Sequence, residues 1–321
     1  MKRIAIVGAG RVGESTAQIL ARDELCRELV LIDVREGAAE GMALDIQEAA
    51  PLFGFDTRVT GHADPGAMAG AELVIVTAGF PRKPGMSRSD VLEANVKIID
   101  AIIDDILRFA PEAMLLMVTN PVDVLTYYAW KRTGWSRKRM FGQAGVLDSA
   151  RMASFTALET GFSPRDIHAM VLGGHGDAMV PMIRYSTIAS IPIDQFLTQD
   201  AIERIVRRTR AGGSEILALK QGSSAYDAPA AAIAAMVDAV SHDRHRVLPC
   251  VAPLQGEYGQ HDVAMGVPAV LSAKGLEHVL ELALTPQETA WLAESAAQIR
   301  TDIARLPNLP QEAVGKPPDL M

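Results

Sequence analysis

The stretch IAIVGAGRVG, close to the start of the chain, leaves few folds open. An apolar run suited to a strand buried on both faces leads into Gly8, Gly10 and Gly13, which make G-x-G-x-x-G ahead of a helical pattern. The first glycine permits a tight turn, the second lets a pyrophosphate approach the backbone, and the third lets helix pack on strand. The helix that starts here offers unpaired N–H groups and a positive dipole end to phosphates. Arg11 and Val12, inside the motif, join the three glycines as candidate cofactor-binding residues. Asp33 ends the next apolar run, twenty residues after Gly13. A carboxylate there suits the ribose hydroxyls of an adenosine and repels a 2′-phosphate, which argues for NAD over NADP. A glycine-rich turn with no ligand is the plain alternative, and Asp33 at this distance argues against it.

Short apolar runs at 3–7, 29–33, 73–77 and 114–118 alternate with helical patterns at 14–21 and 89–110. In the second helix Val91, Ala94, Ile98, Ala101 or Ile102, and Ile106 recur at helical spacing. This alternation predicts an α/β chain with a Rossmann doubly wound parallel sheet. The second half is less regular and reads as an α+β substrate domain. It has a glycine-rich strand and turn at 171–181, helices near 200–219, 229–241 and 286–305, and extended stretches at 246–254 and 263–271. With 321 residues, about two domains are expected. We read 1–143 as the dinucleotide-binding domain, 144–306 as the substrate domain and 307–321 as a Pro-rich tail.

The net charge of −8 argues against a nucleic-acid or anionic-membrane partner. No segment reaches the ~18 apolar residues of a membrane span. The basic, apolar start is too short for a signal peptide, since Arg11 follows at once, and reads better as a first strand. Two cysteines, Cys26 and Cys250, make no disulfide scaffold or zinc knuckle and fit a reducing cytoplasm. Against this acidic background AGFPRKPGMSR (78–88) gathers Arg82, Lys83 and Arg88 among glycines and prolines. It is either a solvated basic loop or a lid that closes on an anion.

Three further stretches carry polar chemistry. In MVTNPVD (117–123), Asn120 follows a strand's carboxyl end, where ligands bind in such sheets, although Asn before Pro is also a common turn. GVLDSAR (145–151) puts Asp148 and Arg151 three apart on one helix face, as a surface ion pair would also do. GGHGD (173–177) surrounds His175 with glycine, leaving room for a ligand, and no cluster of further metal ligands accompanies it.

Taken together, GAGRVG, Asp33, AGFPRKPGMSR, TNPVD, GVLDSAR and GGHGD resemble the lactate/malate dehydrogenase family over nearly the whole chain, to about residue 306. The loop and KQGSSAYDAP (220–229) resemble its lactate-dehydrogenase-like branch of prokaryotic malate dehydrogenases. The resemblance implies an NAD-dependent enzyme interconverting malate and oxaloacetate. It implies His175 as general acid/base, Asp148 as its charge partner, and Arg151 as the grip on the substrate's C1 carboxylate. Arg88 and Asn120 would meet the reacting carbonyl oxygen and Arg82 the distal carboxylate. Asn95, Val118, Thr119 and Asn120 would touch the cofactor, with a cis bond at Asn120-Pro121. One extra residue in KQGSSAYDAP leaves open whether Ser223 or Ser224 faces the nicotinamide side. The small-residue stretch 36–50 resembles the segment this family packs across a subunit dyad, so a homodimer or homotetramer is expected.

Three other readings compete with this one. A lactate dehydrogenase would leave the Arg82 cation unpaired against pyruvate's methyl group. An NAD-dependent glycosidase on this scaffold needs a metal-binding Cys and His, and neither Cys26 nor Cys250 lies near a candidate motif. A non-catalytic NAD sensor has no need of His175, Asp148, Arg151 and Arg88 together.

Overall fold

The computed structural model describes residues 1–80, 88–221 and 223–306, apart from the side chains of 88–90. Arg82, Lys83, the Arg88 side chain and the Pro-rich tail therefore lie outside the described residues.

Among the described residues, six strands build the first half: β1 (Arg3–Val7), β2 (Glu28–Ile32), β3 (Arg58–His62), β4 (Leu73–Val76), β5 (Met114–Met117) and β6 (Met140–Gly142). All pair in parallel, in the order β3-β2-β1-β4-β5-β6 of a doubly wound dinucleotide fold. Ile4, Ile6, Leu73, Ile75, Leu115 and Met117 are fully buried, because strands covered on both faces have no use for polar side chains. The ends of β2 fall one residue before the run 29–33, leaving Asp33 just outside the strand with its N–H on His62 O at 3.2 Å. β3 was not foreseen. Its sequence RVTGH is half polar, which an edge strand tolerates.

The helices of this half are α1 (Arg11–Arg22), α2 (Ala38–Glu48), α3 (Ala50–Phe53), α4 (Arg88–Phe109) and α5 (Val122–Thr133). The buried stripe of α4 differs from the expected one. Val91 and Ile106 are buried as expected, and so are Leu92, Val96, Ile99 and Ile103, whereas Ala94, Ile98 and Ile102 are only partly covered and Ala101 is exposed. The doublets Ile98-Ile99 and Ile102-Ile103 leave the phase of the stripe open in the sequence, and packing selects the second member of each.

In the second half, α6 (Gly145–Thr160) leads to β7 (Ile167–His168), the hairpin β8 (Val171–Gly173) and β9 (Met179–Pro181), and then β10 (Thr187–Ile188) and β11 (Ile191–Pro192). Next come α7 (Gln199–Lys220), α8 (Asp227–Ser241), β12 (Arg246–Gln255), β13 (His261–Ser272), β14 (Gly275–Val279) and α9 (Pro286–Ile303). β12 meets β6 antiparallel at Val251–Gly142 and pairs along its length with β13, which continues the sheet through β8 to β9. One sheet thus runs through both halves, while β7, β10 and β11 form a small separate one. α9 starts sharply on a capping box, Thr285 with Glu288, and has Pro286 in its first turn. The result is a mixed α/β chain with a Rossmann half and a C-terminal α/β half.

Candidate active site

At the head of β1, Gly8 has φ +108°, a backbone conformation L side chains rarely adopt, and its carbonyl accepts from Thr77 Oγ1 at 2.8 Å. A Cβ on Gly13 would collide with the Gly8 carbonyl, so both glycines are required by the protein's own packing. Gly10 is different, since a Cβ there would meet nothing within 4 Å. It caps α1 without any side-chain acceptor. Open backbone and uncapped helix N–H groups fit a pyrophosphate. Asp33 lies beside them, its Oδ2 accepting from Ala9 N at 2.9 Å. Arg11 leans toward the Tyr226 ring, 5.4 Å from its centroid.

A cleft of about 580 Å³ runs on from this point. Val12, Asn95, Val118, Thr119 and Asn120 line one stretch of it. Asn95 is buried and ties three segments together, accepting from Phe80 N at 2.6 Å and donating to Asn120 O at 2.7 Å. The Asn120-Pro121 peptide is cis, as expected. Ser223 and Ser224 both line the cleft, the first half-buried and the second exposed.

The β8–β9 turn brings His175 into the same cleft. Its Nδ1 lies 2.9 Å from Asp148 Oδ2 on α6, and the other Asp148 oxygen accepts from Arg151 Nη1 at 3.2 Å. Burial works against the imidazolium. The charge and hydrogen bond of Asp148, helped by Asp123, outweigh it, so the His175 pKa is raised despite Arg151. An imidazole held by one nitrogen on a buried carboxylate, with the other free to meet a ligand, can carry a proton to and from that ligand. Among the described residues, no group of three His, Cys, Asp or Glu side chains is placed to hold a metal ion.

Three features are absent from the sequence reading: the room Gly212 makes for the expected Arg151, the reach of the last helix, and Asp123. Arg151 Nε is buried with no partner among the described residues, as suits a group that binds an anion. Gly212 of α7 makes room for this side chain, because a Cβ there would come within 3.2 Å of Arg151 Cδ. Two glycines inside a helix, Gly212 and Gly213, were the available signal, since each costs about 1 kcal/mol unless packing needs it. The last helix also reaches the cleft through Gln298, Ile299 and Asp302, which no local motif announces.

Asp123 is the third. It lies on α5, buried, with Oδ2 accepting the His175 backbone N–H at 2.8 Å and Oδ1 without a partner among the described residues. Burial pushes its carboxyl up to about 6, with the His175 N–H and charge pulling the other way. A carboxyl whose folded pKa is raised contributes stability that is full below about pH 4 and lost as pH rises through about 6. Asp123→Asn should therefore be more stable than wild type at pH 8 by about 1–2 kcal/mol, and show less of that advantage at pH 4.5. Urea unfolding at the two pH values measures it, and a pH-independent difference would show that Asp123 is not a buried charge.

Two family models cover the chain. One, for the lactate/malate dehydrogenase NAD binding domain, matches residues 2–142. The other, for the lactate/malate dehydrogenase alpha/beta C-terminal domain, matches residues 145–308. The chain belongs to the lactate/malate dehydrogenase family. Its fold and its NAD cofactor follow from this membership. A malate dehydrogenase of Thioalkalivibrio sulfidiphilus is 69% identical over 306 residues, 95% of this chain and all of that one. The solved malate dehydrogenase from Salinibacter ruber superposes with a TM-score of 0.90 at 40% identity, covering 94% of this chain and 97% of the other. The lactate dehydrogenase from Cryptosporidium parvum, complexed with lactic acid and nicotinamide adenine dinucleotide, superposes with a TM-score of 0.91 at 36% identity, again over 94% and 97%. The fold thus serves both substrates, so backbone similarity alone does not separate them.

Proposed function

We propose that this chain is an NAD-dependent malate dehydrogenase, with His175 as the proton carrier of a reversible hydride transfer between malate and oxaloacetate. The observation that carries the chemistry is the His175–Asp148–Arg151 group in a cleft shared with Asn95, Thr119 and Asn120. The 69% identical relative supports malate over lactate. When bound, NADH supplies the hydride. The chain's own residues meet the charge that develops on the substrate oxygen. His175 gives its proton to that oxygen in reduction and takes it back in oxidation, and Asp148 stabilises the imidazolium in between. Arg151 grips the C1 carboxylate through its planar fork. Asn120 and Arg88 hydrogen-bond the reacting oxygen and Arg82 pairs with the distal carboxylate, the two arginine roles resting on the family resemblance.

The division at 143/144 is proposed on the same footing, and the two family models meet close to it. We further propose a cytoplasmic homodimer or homotetramer working in the tricarboxylic acid cycle. Exposed Leu44 within the small-residue stretch of α2, and Leu52 and Phe53 of α3 beside it, support self-association, which light scattering measures. NADH oxidation followed with oxaloacetate and with pyruvate tests the substrate. We expect kcat/KM for oxaloacetate to be higher by about a hundredfold or more. Equal or faster pyruvate reduction would sink the malate reading.

A further inference from the structure

The Asp33 carboxylate, assigned above to the adenosine ribose, has a full set of protein partners. Oδ1 accepts from the backbone N–H and the Nε of Arg35, both at 3.0 Å. Oδ2 accepts from Ala9 N at 2.9 Å and from Arg35 Nη2 at 3.2 Å. Nη2 also donates to the Ala9 carbonyl at 3.1 Å, so the guanidinium bridges the carboxylate and the glycine loop. A carboxylate offers about four lone-pair sites, and here all four are used. Two of the donors, Ala9 N and Arg35 N, are backbone groups fixed by the turn. The other two belong to the Arg35 side chain, which is 63% exposed, while Asp33 is 11% exposed. Ribose hydroxyls reach this carboxylate only by displacing those two.

We propose that Arg35 is a second determinant of cofactor choice. It competes with the 2′-hydroxyl of NADH for Asp33, and it supplies the cation that a 2′-phosphate would meet. Its Nη1 takes no part in the pair and has no hydrogen bond among the described residues, so Arg35 can stay on Asp33 and bind such a phosphate at once. Asp33 alone would repel NADPH strongly. The Asp33–Arg35 pair reduces that repulsion, so the pocket also takes NADPH, at lower affinity than NADH. The electrostatics agree, since the Arg35 hydrogen bond raises the guanidinium's proton affinity and, with the Ala9 N–H, holds the carboxyl below its usual range although burial works the other way.

This rests on the nucleotide lying over the glycine loop, so the test uses fragments that bind without chemistry. Calorimetric titration of the purified protein with ADP and with 2′,5′-ADP should give affinities within about twentyfold of each other. Arg35→Ala should move the two in opposite directions. ADP should tighten about two- to fivefold because nothing competes for Asp33, and 2′,5′-ADP should weaken about tenfold or more. Arg35→Lys, which keeps the charge but not the fork, should fall between. Asp33→Ser, which frees Arg35, should reverse the preference to favour 2′,5′-ADP. An Arg35→Ala protein whose ADP to 2′,5′-ADP ratio stays within twofold of wild type, or that loses both equally, overturns the proposal. Failure of ADP to bind the wild type would overturn the nucleotide-site reading as well.

Discussion

Exchanging Asp148 for Asn should lower kcat for oxaloacetate reduction by about a hundred- to ten-thousand-fold, while NADH binding stays nearly unchanged. The carboxylate is 2% exposed and holds His175 Nδ1 at 2.9 Å, far from the glycine loop in sequence. An amide there removes the charge that favours imidazolium, and it can offer an N–H where the ring nitrogen itself carries one, disfavouring the tautomer that presents the other nitrogen to substrate. The pH dependence separates this from a general loss of structure. Asp148 raises the His175 pKa, so in the wild type the protonated form persists to higher pH. Reduction needs that form and should fall as pH rises through the His175 pKa. Malate oxidation needs the neutral form and should fall as pH drops through the same value. In Asp148→Asn the reduction limb should move to lower pH. If kcat/KM in the variant keeps the wild-type limb, Asp148 does not act through His175.

Arg82→Gln should change which substrate the enzyme prefers. Oxaloacetate and pyruvate share the keto acid end, so in the roles proposed above Arg151 and Arg88 would meet the same groups on both. They differ where oxaloacetate carries its second carboxylate, and the family resemblance assigns that carboxylate to Arg82. Breaking a charge-assisted pair in a dry pocket costs about 2–5 kcal/mol, because one charge is left unpaired. At ~1.4 kcal/mol per tenfold, kcat/KM for oxaloacetate should drop by roughly thirty- to several-thousand-fold. Activity on pyruvate should rise, since the methyl group no longer faces a cation. Arg88→Gln should damage both substrates together. A solvated Arg82 would be worth at most ~1 kcal/mol. Steady-state kinetics of both variants on both substrates decide it. If Arg82→Gln leaves the preference within a few-fold of wild type, specificity lies elsewhere.

The sequence by itself determined what short-range rules control. The strands buried on both faces were visible as apolar runs, and the glycine loop was visible because a positive φ at Gly8 and the close approach at Gly13 admit no side chain. Each polar motif was legible on its own for the same reason, with Asp148 and Arg151 one helical turn apart. Tertiary structure decided what depends on elements meeting. The phase of α4 came from which isoleucine of each doublet the packing buries, and β3 showed itself only as an edge. His175 and Asp148 are 27 residues apart and meet because the β8–β9 turn is held against α6, with Asp123 of α5 fixing the His175 N–H from a third element. No local motif marks Arg35, and only the turn after β2 folds it over Asp33 and the Ala9 carbonyl. Local pattern specifies a backbone conformation and a face. A hydrogen bond across elements depends on positions to within a fraction of an ångström, and those are set by how whole elements pack.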